Sequence, residues 1–336
     1  MTDQEIVAGR GDIAQASGAL GLNVYSDWEF TGVLQTFYSF ADTGQGSGAV
    51  AWLTGNFLGG SLDEIAQLWD NNGTLGLNLY APFETGTLAS FPDLGHGSGA
   101  MAWLTGDFTG SGLTEIAQLW DNGGNLGLNV YGMAGGTVQT VFESSDLGQG
   151  SGALAWLVGD FSVSGVDEIA QLWDDNGTLA LNVYRYEHGT VVNTVGNDLG
   201  QGTGAVAWLA GDFFGRGLAQ IVQLWDNDGT LGAVVYGCVN STAETLFGSS
   251  DLGQGSGAVA WLTGNFTPSG NLEIAQLWDN DGTLSVFFYV AGNGNATLQL
   301  DPFHGGNLGQ GPGALAWLTG DFTGSGLTEI AQPWDS

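Results

Sequence analysis

Glu64-Ile65-Ala66-Gln67-Leu68-Trp69-Asp70-Asn71-Asn72-Gly73-Thr74-Leu75-Gly76-Leu77-Asn78-Leu79-Tyr80 is the stretch whose reading decides the fold. Two apolar runs of strand length flank Asp70-Asn71-Asn72-Gly73, and an Asn-Gly pair supplies the positive φ angles that a tight hairpin needs. A third run, Ala49-Val50-Ala51-Trp52-Leu53-Thr54, precedes the hairpin, and a less regular fourth, Thr87-Leu88-Ala89-Ser90-Phe91, follows it. In chain order these are segments A, B, C and D, and they predict four antiparallel strands.

The four segments recur. The Trp of segment A falls at 52, 103, 156, 208, 261 and 317, at intervals of 51 to 56 residues, which is the length of a propeller blade. Segments A and B are near-continuous apolar runs without strict alternation, as expected when both faces of a sheet are covered by neighbours. The expected fold is therefore all-β, a single β-propeller over residues 1–336 built of four-stranded blades, with repeats starting near 49, 100, 153, 205, 258 and 314. Sixty Gly and six Pro suit short strands and tight turns, and argue against helix.

The chain ends decide the closure. The N-terminal part supplies a C segment, Leu20-Gly21-Leu22-Asn23-Val24-Tyr25, and a D, while the chain stops after an A and a B near Ala314 to Trp334. Pairing the two ends completes a sixth blade shared by residues 1–48 and 314–336 and leaves no open sheet edge. Six blades are favoured. A surplus B fragment, Asp12-Ile13-Ala14-Gln15, leaves a partial seventh blade as the alternative.

Gly106-Asp107-Phe108-Thr109-Gly110-Ser111-Gly112-Leu113-Thr114-Glu115-Ile116-Ala117 resembles the FG-GAP/VCBS repeat, the unit of integrin-like propellers and of some propeller lectins. The resemblance implies a propeller and, through lectins and adhesins, a binding role. The family's loop often carries alternating carboxylates that wrap calcium. Here Asp107, Thr109, Ser111 and Glu115 stand in one copy, Asp160, Ser162, Ser164 and Glu168 in another, and Asp212, Phe214, Arg216 and Gln220 in a third. Hydroxyls and a guanidinium have replaced ligands, so the loop reads as a structural turn. No cofactor or metal is expected, with calcium as the alternative.

Composition narrows the partners. Thirty-five acidic residues stand against three Arg and no Lys, for a formal charge of −32, which repels nucleic acid and anionic membrane. No membrane insertion is expected, because no run of 18 apolar residues occurs. Cys238 is alone, so no intrachain disulfide forms. The first residues, Met1-Thr2-Asp3-Gln4-Glu5, lack the signature of a signal peptide; a cytoplasmic or non-classically released protein is the expectation.

Strand direction places the B–C hairpins and the D–A connections on one end of the propeller. Two recurring polar sets meet there. The first is Trp-Asp, as Trp69-Asp70, Trp120-Asp121, Trp173-Asp174, Trp225-Asp226, Trp278-Asp279 and Trp334-Asp335. The second is the variable position of Gly-Gln-Gly, held by Gln45, His96, Gln149, Gln201, Gln254 and Gln310. An indole beside amides and carboxylates suits a sugar, whose C–H face stacks while its hydroxyls exchange hydrogen bonds. The expected function is a lectin binding glycans or glycoproteins at several equivalent sites, without covalent chemistry. An integrin-like protein-interaction scaffold is the alternative.

Structural readings stand beside these. Trp52 and its equivalents sit inside apolar strands and read as blade packing. For Trp69 and its equivalents, core packing and ligand stacking remain equally open, because a repeated core also recurs. Asp70 and its equivalents have a competing role in ordering the hairpin. His96, His188 and His304 share no context and no catalytic cluster appears, so the chain is expected not to be an enzyme.

Overall fold

The computed structural model describes residues 20–26, 35–40, 48–71, 73–84, 86–95, 99–148, 152–201, 204–239, 242–253, 257–268, 270–291, 298–310 and 313–335. They form six four-stranded antiparallel sheets, each in A-B-C-D order, and no helix. Blade 1 is Ala49–Gly55, Glu64–Asn71, Thr74–Tyr80 and Ala89–Phe91. Blade 2 is Ala100–Gly106, Glu115–Asn122, Asn125–Ala134 and Thr137–Ser144; blade 3 is Ala153–Gly159, Glu168–Asp175, Thr178–Glu187 and Thr190–Gln201. Blade 4 is Ala205–Gly211, Gln220–Asn227, Thr230–Val239 and Thr242–Ser249; blade 5 is Ala258–Gly264, Glu273–Asn280, Thr283–Ala291 and Leu298–Gln310.

Blade 6 is made from both ends of the chain. Leu318–Gly320 and Glu329–Asp335 supply strands A and B, and Leu20–Ser26 and Gln35–Phe40 supply C and D. The clasp pairs Leu20 with Asp335 through to Tyr25 with Ile330, and Ala314 bridges Trp334. The surplus fragment at Asp12 to Gln15 lies outside the described residues.

Each A strand contacts the A strand of the next blade around a complete circle, including blade 6 to blade 1. A hydrogen-bond stitch joins the blades near this ring. The Asn or Asp after strand A offers its carbonyl to the residue preceding strand B of the next blade, as Thr114 N to Asn56 O at 2.9 Å, Asp167 N to Asp107 O at 3.0 Å, Ala219 N to Asp160 O at 2.8 Å and Thr328 N to Asn265 O at 2.9 Å. Asp63 N to Asp321 O at 3.0 Å repeats the stitch across the closure.

The core lies between blades, not within them. Leu68, Leu75, Leu77 and Leu79 of blade 1 pack with Trp103, Ile116 and Tyr131 of blade 2, and Trp52, Ile65 and Tyr80 pack on Leu20, Leu22 and Val24 of blade 6. The segment A Trp is thus the inter-blade wedge, as its apolar setting implied. On the same face, Gln67 takes hydrogen bonds at Oε1 from Tyr80 Oη (2.8 Å) and Asn78 Nδ2 (3.0 Å). Burial pushes the equivalent Tyr184 phenol up to about 12, so it remains a donor to Gln171 (2.9 Å). No helix among the described residues is long and apolar enough to cross a membrane.

Candidate functional site

Side chains alternate across a strand, so Trp120 shares a face with Gln118 and Ile116. That face packs on the preceding blade at Ile116. Trp120 therefore stands farther along the same inter-blade groove, at the hairpin end. The indole is only partly covered there, as are Trp69, Trp173, Trp225, Trp278 and Trp334.

What seats the indole is the residue opposite it on strand C. Trp69 pairs with Gly76, Trp120 with Gly127, Trp225 with Gly232 and Trp334 with Gly21. A Cβ added at Gly127 would lie 2.3 Å from Trp120 Cε2, and one at Gly21 would lie 2.1 Å from Trp334 Cε2. The ring occupies the space that the missing side chain vacates. Ala180 and Ser285 take this place opposite Trp173 and Trp278.

The indole nitrogens carry a second regularity. Nε1 of Trp69, Trp120, Trp173, Trp278 and Trp334 is buried, with no acceptor among the described residues. A buried donor left unpaired costs roughly 1–3 kcal/mol.

The neighbouring carboxylates order the turn. Asp121 Oδ1 accepts from Gly124 N at 2.6 Å, and Asp70, Asp174, Asp226 and Asp279 accept equivalently from Gly73, Gly177, Gly229 and Gly282 at 2.5 or 2.6 Å. The turns need this help because two successive residues take positive φ, as Asn176 (54°) and Gly177 (91°) do. One carboxylate oxygen of each Asp is engaged this way, and the side chains are exposed. The Asp set therefore has the turn role.

The other half of the expected site lies outside what is described. Gln45, His96, Gln149 and Gln254 are beyond the described residues, and Gln201 and Gln310 are described only as the backbone ends of their D strands. Asp335 is likewise described as backbone.

The opposite end holds the Gly-Asp-Phe loops. Asp107 accepts from Ser111 N (2.8 Å) and Gly112 N (2.9 Å), Asp160 from Ser164 N and Gly165 N, and Asp212 from Arg216 N and Gly217 N. Behind them, a buried Glu from the start of strand B receives loop amides, as Glu64 does from Phe57 N at 2.8 Å and Glu329 from Phe322 N at 2.7 Å. Burial raises Glu64, Glu115, Glu168 and Glu329 above the usual carboxylate range, with the loop hydrogen bonds opposing it. A cavity of about 200 Å³ opens at this end over blades 3 and 4, lined by Asp160, Asp167, Asp212, Gly159 and Gly211 among others and flanked by Asp107 of blade 2 and Leu272 of blade 5. No group of three metal-binding side chains is found among the described residues.

No protein-family model matches the chain, and no curated protein matches it. The FG-GAP/VCBS resemblance thus finds no family-level match, and the propeller stands on its own sheets. Solved structures do match. Exotype rhamnogalacturonan lyase YesX is similar at 14% identity and a TM-score of 0.43, over 84% of this chain and 72% of that one. The Bacillus licheniformis rhamnogalacturonan lyase PL11 is similar at 13% identity and 0.43, and rhamnogalacturonan lyase YesW at 14% and 0.42, each over 98% of this chain and 89% of the other.

This corrects one expectation. The chain was expected not to be an enzyme because its three His share no context and no catalytic cluster appears, yet the structures it is similar to are lyases. At these identities and TM-scores the likeness carries neither a reaction nor a substrate over to this chain.

Proposed function

We propose that this propeller binds carbohydrate in the manner of a lectin, at up to six shallow grooves on the hairpin end. The observation that carries the reading is the recurring indole, partly exposed in all six blades and seated against strand C at the hairpin end. A half-exposed indole face is what the apolar C–H side of a hydroxylated ring stacks on. The charge of −32 disfavours acidic sugars, so neutral or amino sugars are the proposed class. The resemblance to a repeat that some propeller lectins use agrees with this reading, and repeated weak sites would gain by avidity on glycans and glycoproteins.

A glycan array probed with the whole chain tests the proposal. Binding to neutral or amino sugars is expected. Silence across the array at high protein concentration refutes it, as does retention of proteins stripped of their glycans that free sugars fail to compete. Trp120→Ala should weaken capture while leaving the fold intact; unfolding of that variant would return Trp120 to the core.

A further inference from the structure

The Gln-Tyr pair on the inter-blade face is present in every blade, yet a third member is not. Gln67, Gln118, Gln171 and Gln332 each also receive an Asn from strand C, namely Asn78, Asn129, Asn182 and Asn23, at 3.0 to 3.3 Å. In blades 4 and 5 that place is held by Val234 and Phe287, opposite Gln223 and Gln276. The pair forms without the Asn, as Tyr236 to Gln223 at 3.1 Å and Tyr289 to Gln276 at 3.0 Å show. The blade core thus does not require the Asn.

In blade 5 the position reaches the groove indole. It lies two residues beyond the one that seats the Trp, on the same face. In blade 5 its occupant shows the contact directly, since the Phe287 ring centroid is 5.5 Å from that of Trp278, tilted by 39°. The Asn side chains are half-buried. Three of them are held at the second atom as well, with Asn23, Asn78 and Asn182 accepting from Ser39, Ser90 and Asn193 at 2.5, 2.8 and 3.1 Å. A carboxamide has two N–H donors, and the bond to Gln engages one.

Resting on the carbohydrate reading, we infer that the six grooves form two classes divided by this strand C residue. Blades 6, 1, 2 and 3 present a half-exposed indole face beside an oriented carboxamide and take a hydroxylated ring. Blades 4 and 5 present Val234 or Phe287 and do not, because a hydroxyl placed against either loses its water without gaining a partner, and Phe287 also covers indole surface. Asn23, Asn78, Asn129 and Asn182 are the specificity-determining residues.

Native mass spectrometry of the whole chain, titrated with methyl α-mannoside, methyl β-galactoside, methyl α-fucoside and N-acetylglucosamine in turn, counts the sites. Saturation at four ligands per chain is expected for whichever sugar binds, and saturation at six overturns the two classes. Asn129→Val should lower the count to three, weakening that groove by about tenfold or more. Phe287→Asn should raise it to five, and this gain cannot arise from misfolding. An unchanged count in Phe287→Asn overturns the inference while leaving the lectin reading in place. Binding of none of the four sugars, with a silent glycan array, sinks both.

Discussion

Tyr131 and Tyr236 make the same bond in two blades and should differ in how much they matter. Each is equally buried, at 4% exposure, and each donates its phenol to a buried Gln, at 3.0 Å to Gln118 and at 3.1 Å to Gln223. Gln118 Oε1 also accepts Asn129 Nδ2 at 3.2 Å, whereas Val234 stands in that place beside Gln223. Tyr131→Phe therefore removes a hydrogen bond from an acceptor that keeps a partner, at about 0.5–1.5 kcal/mol, while Tyr236→Phe orphans a buried acceptor, at about 1–3 kcal/mol. With an unfolding entropy of about 2.1 cal/mol/K per residue over 336 residues, 1 kcal/mol corresponds to roughly 1.4 °C in Tm. The expected falls are roughly 1–2 °C for Tyr131→Phe and roughly 1.4–4 °C for Tyr236→Phe, the second the larger. Scanning calorimetry, with denaturant midpoints at unchanged slope as a second measure, distinguishes them. Adding Val234→Asn to Tyr236→Phe should recover part of the loss. Equal losses, or a larger one at Tyr131, would refute the reasoning that the Asn is a second partner and not mere filling.

Burial raises Glu64, Glu115, Glu168 and Glu329 in the folded chain, so between the ordinary Glu range and the raised values the native state holds more protons than the unfolded one. Stability then falls as pH rises through that window; Tm should be higher near pH 5 than near pH 7, and a Glu115→Gln variant, for which Gln220 in blade 4 is the natural precedent, should show a shallower slope. EDTA should leave Tm unchanged, because loop amides already engage the oxygens of Asp107, Asp160 and Asp212; a fall of several degrees would assign a cation to these loops. Deleting residues 1–40 removes strands C and D of blade 6 and bares the edge of Glu329–Asp335, so the truncated chain should associate or precipitate; a soluble monomer with unchanged Tm would count against the shared blade.

Much of this was legible because the information is local and repeated. Strand length, the Asp-Asn-Gly turns and the fifty-residue period are properties of neighbouring residues, and complementary halves of a blade at the two ends imply the clasp from Leu20 to Asp335. Fold class and the wedge role of Trp52 and Trp103 follow from that pattern, which favoured six blades and left a partial seventh open. The turn role of Asp70 was also readable, since an Asx bond spans only three residues to Gly73.

The groove was not. That Gly127 seats Trp120 requires the register of strands B and C, and a Gly in a strand reads equally as a bulge or a weak point. Asn129 looked like one more polar position in an alternating strand; only its pairing to Gln118, and the ring of Phe287 lying on Trp278 in the same place, made it part of a site. Sequence by itself determined the repeat, the turns and the closure, because these depend on contacts a few residues apart or on matching ends. Tertiary structure alone decided how each half-buried indole is seated and what stands beside it, because those neighbours come from register across strands and from the face a blade turns to the next.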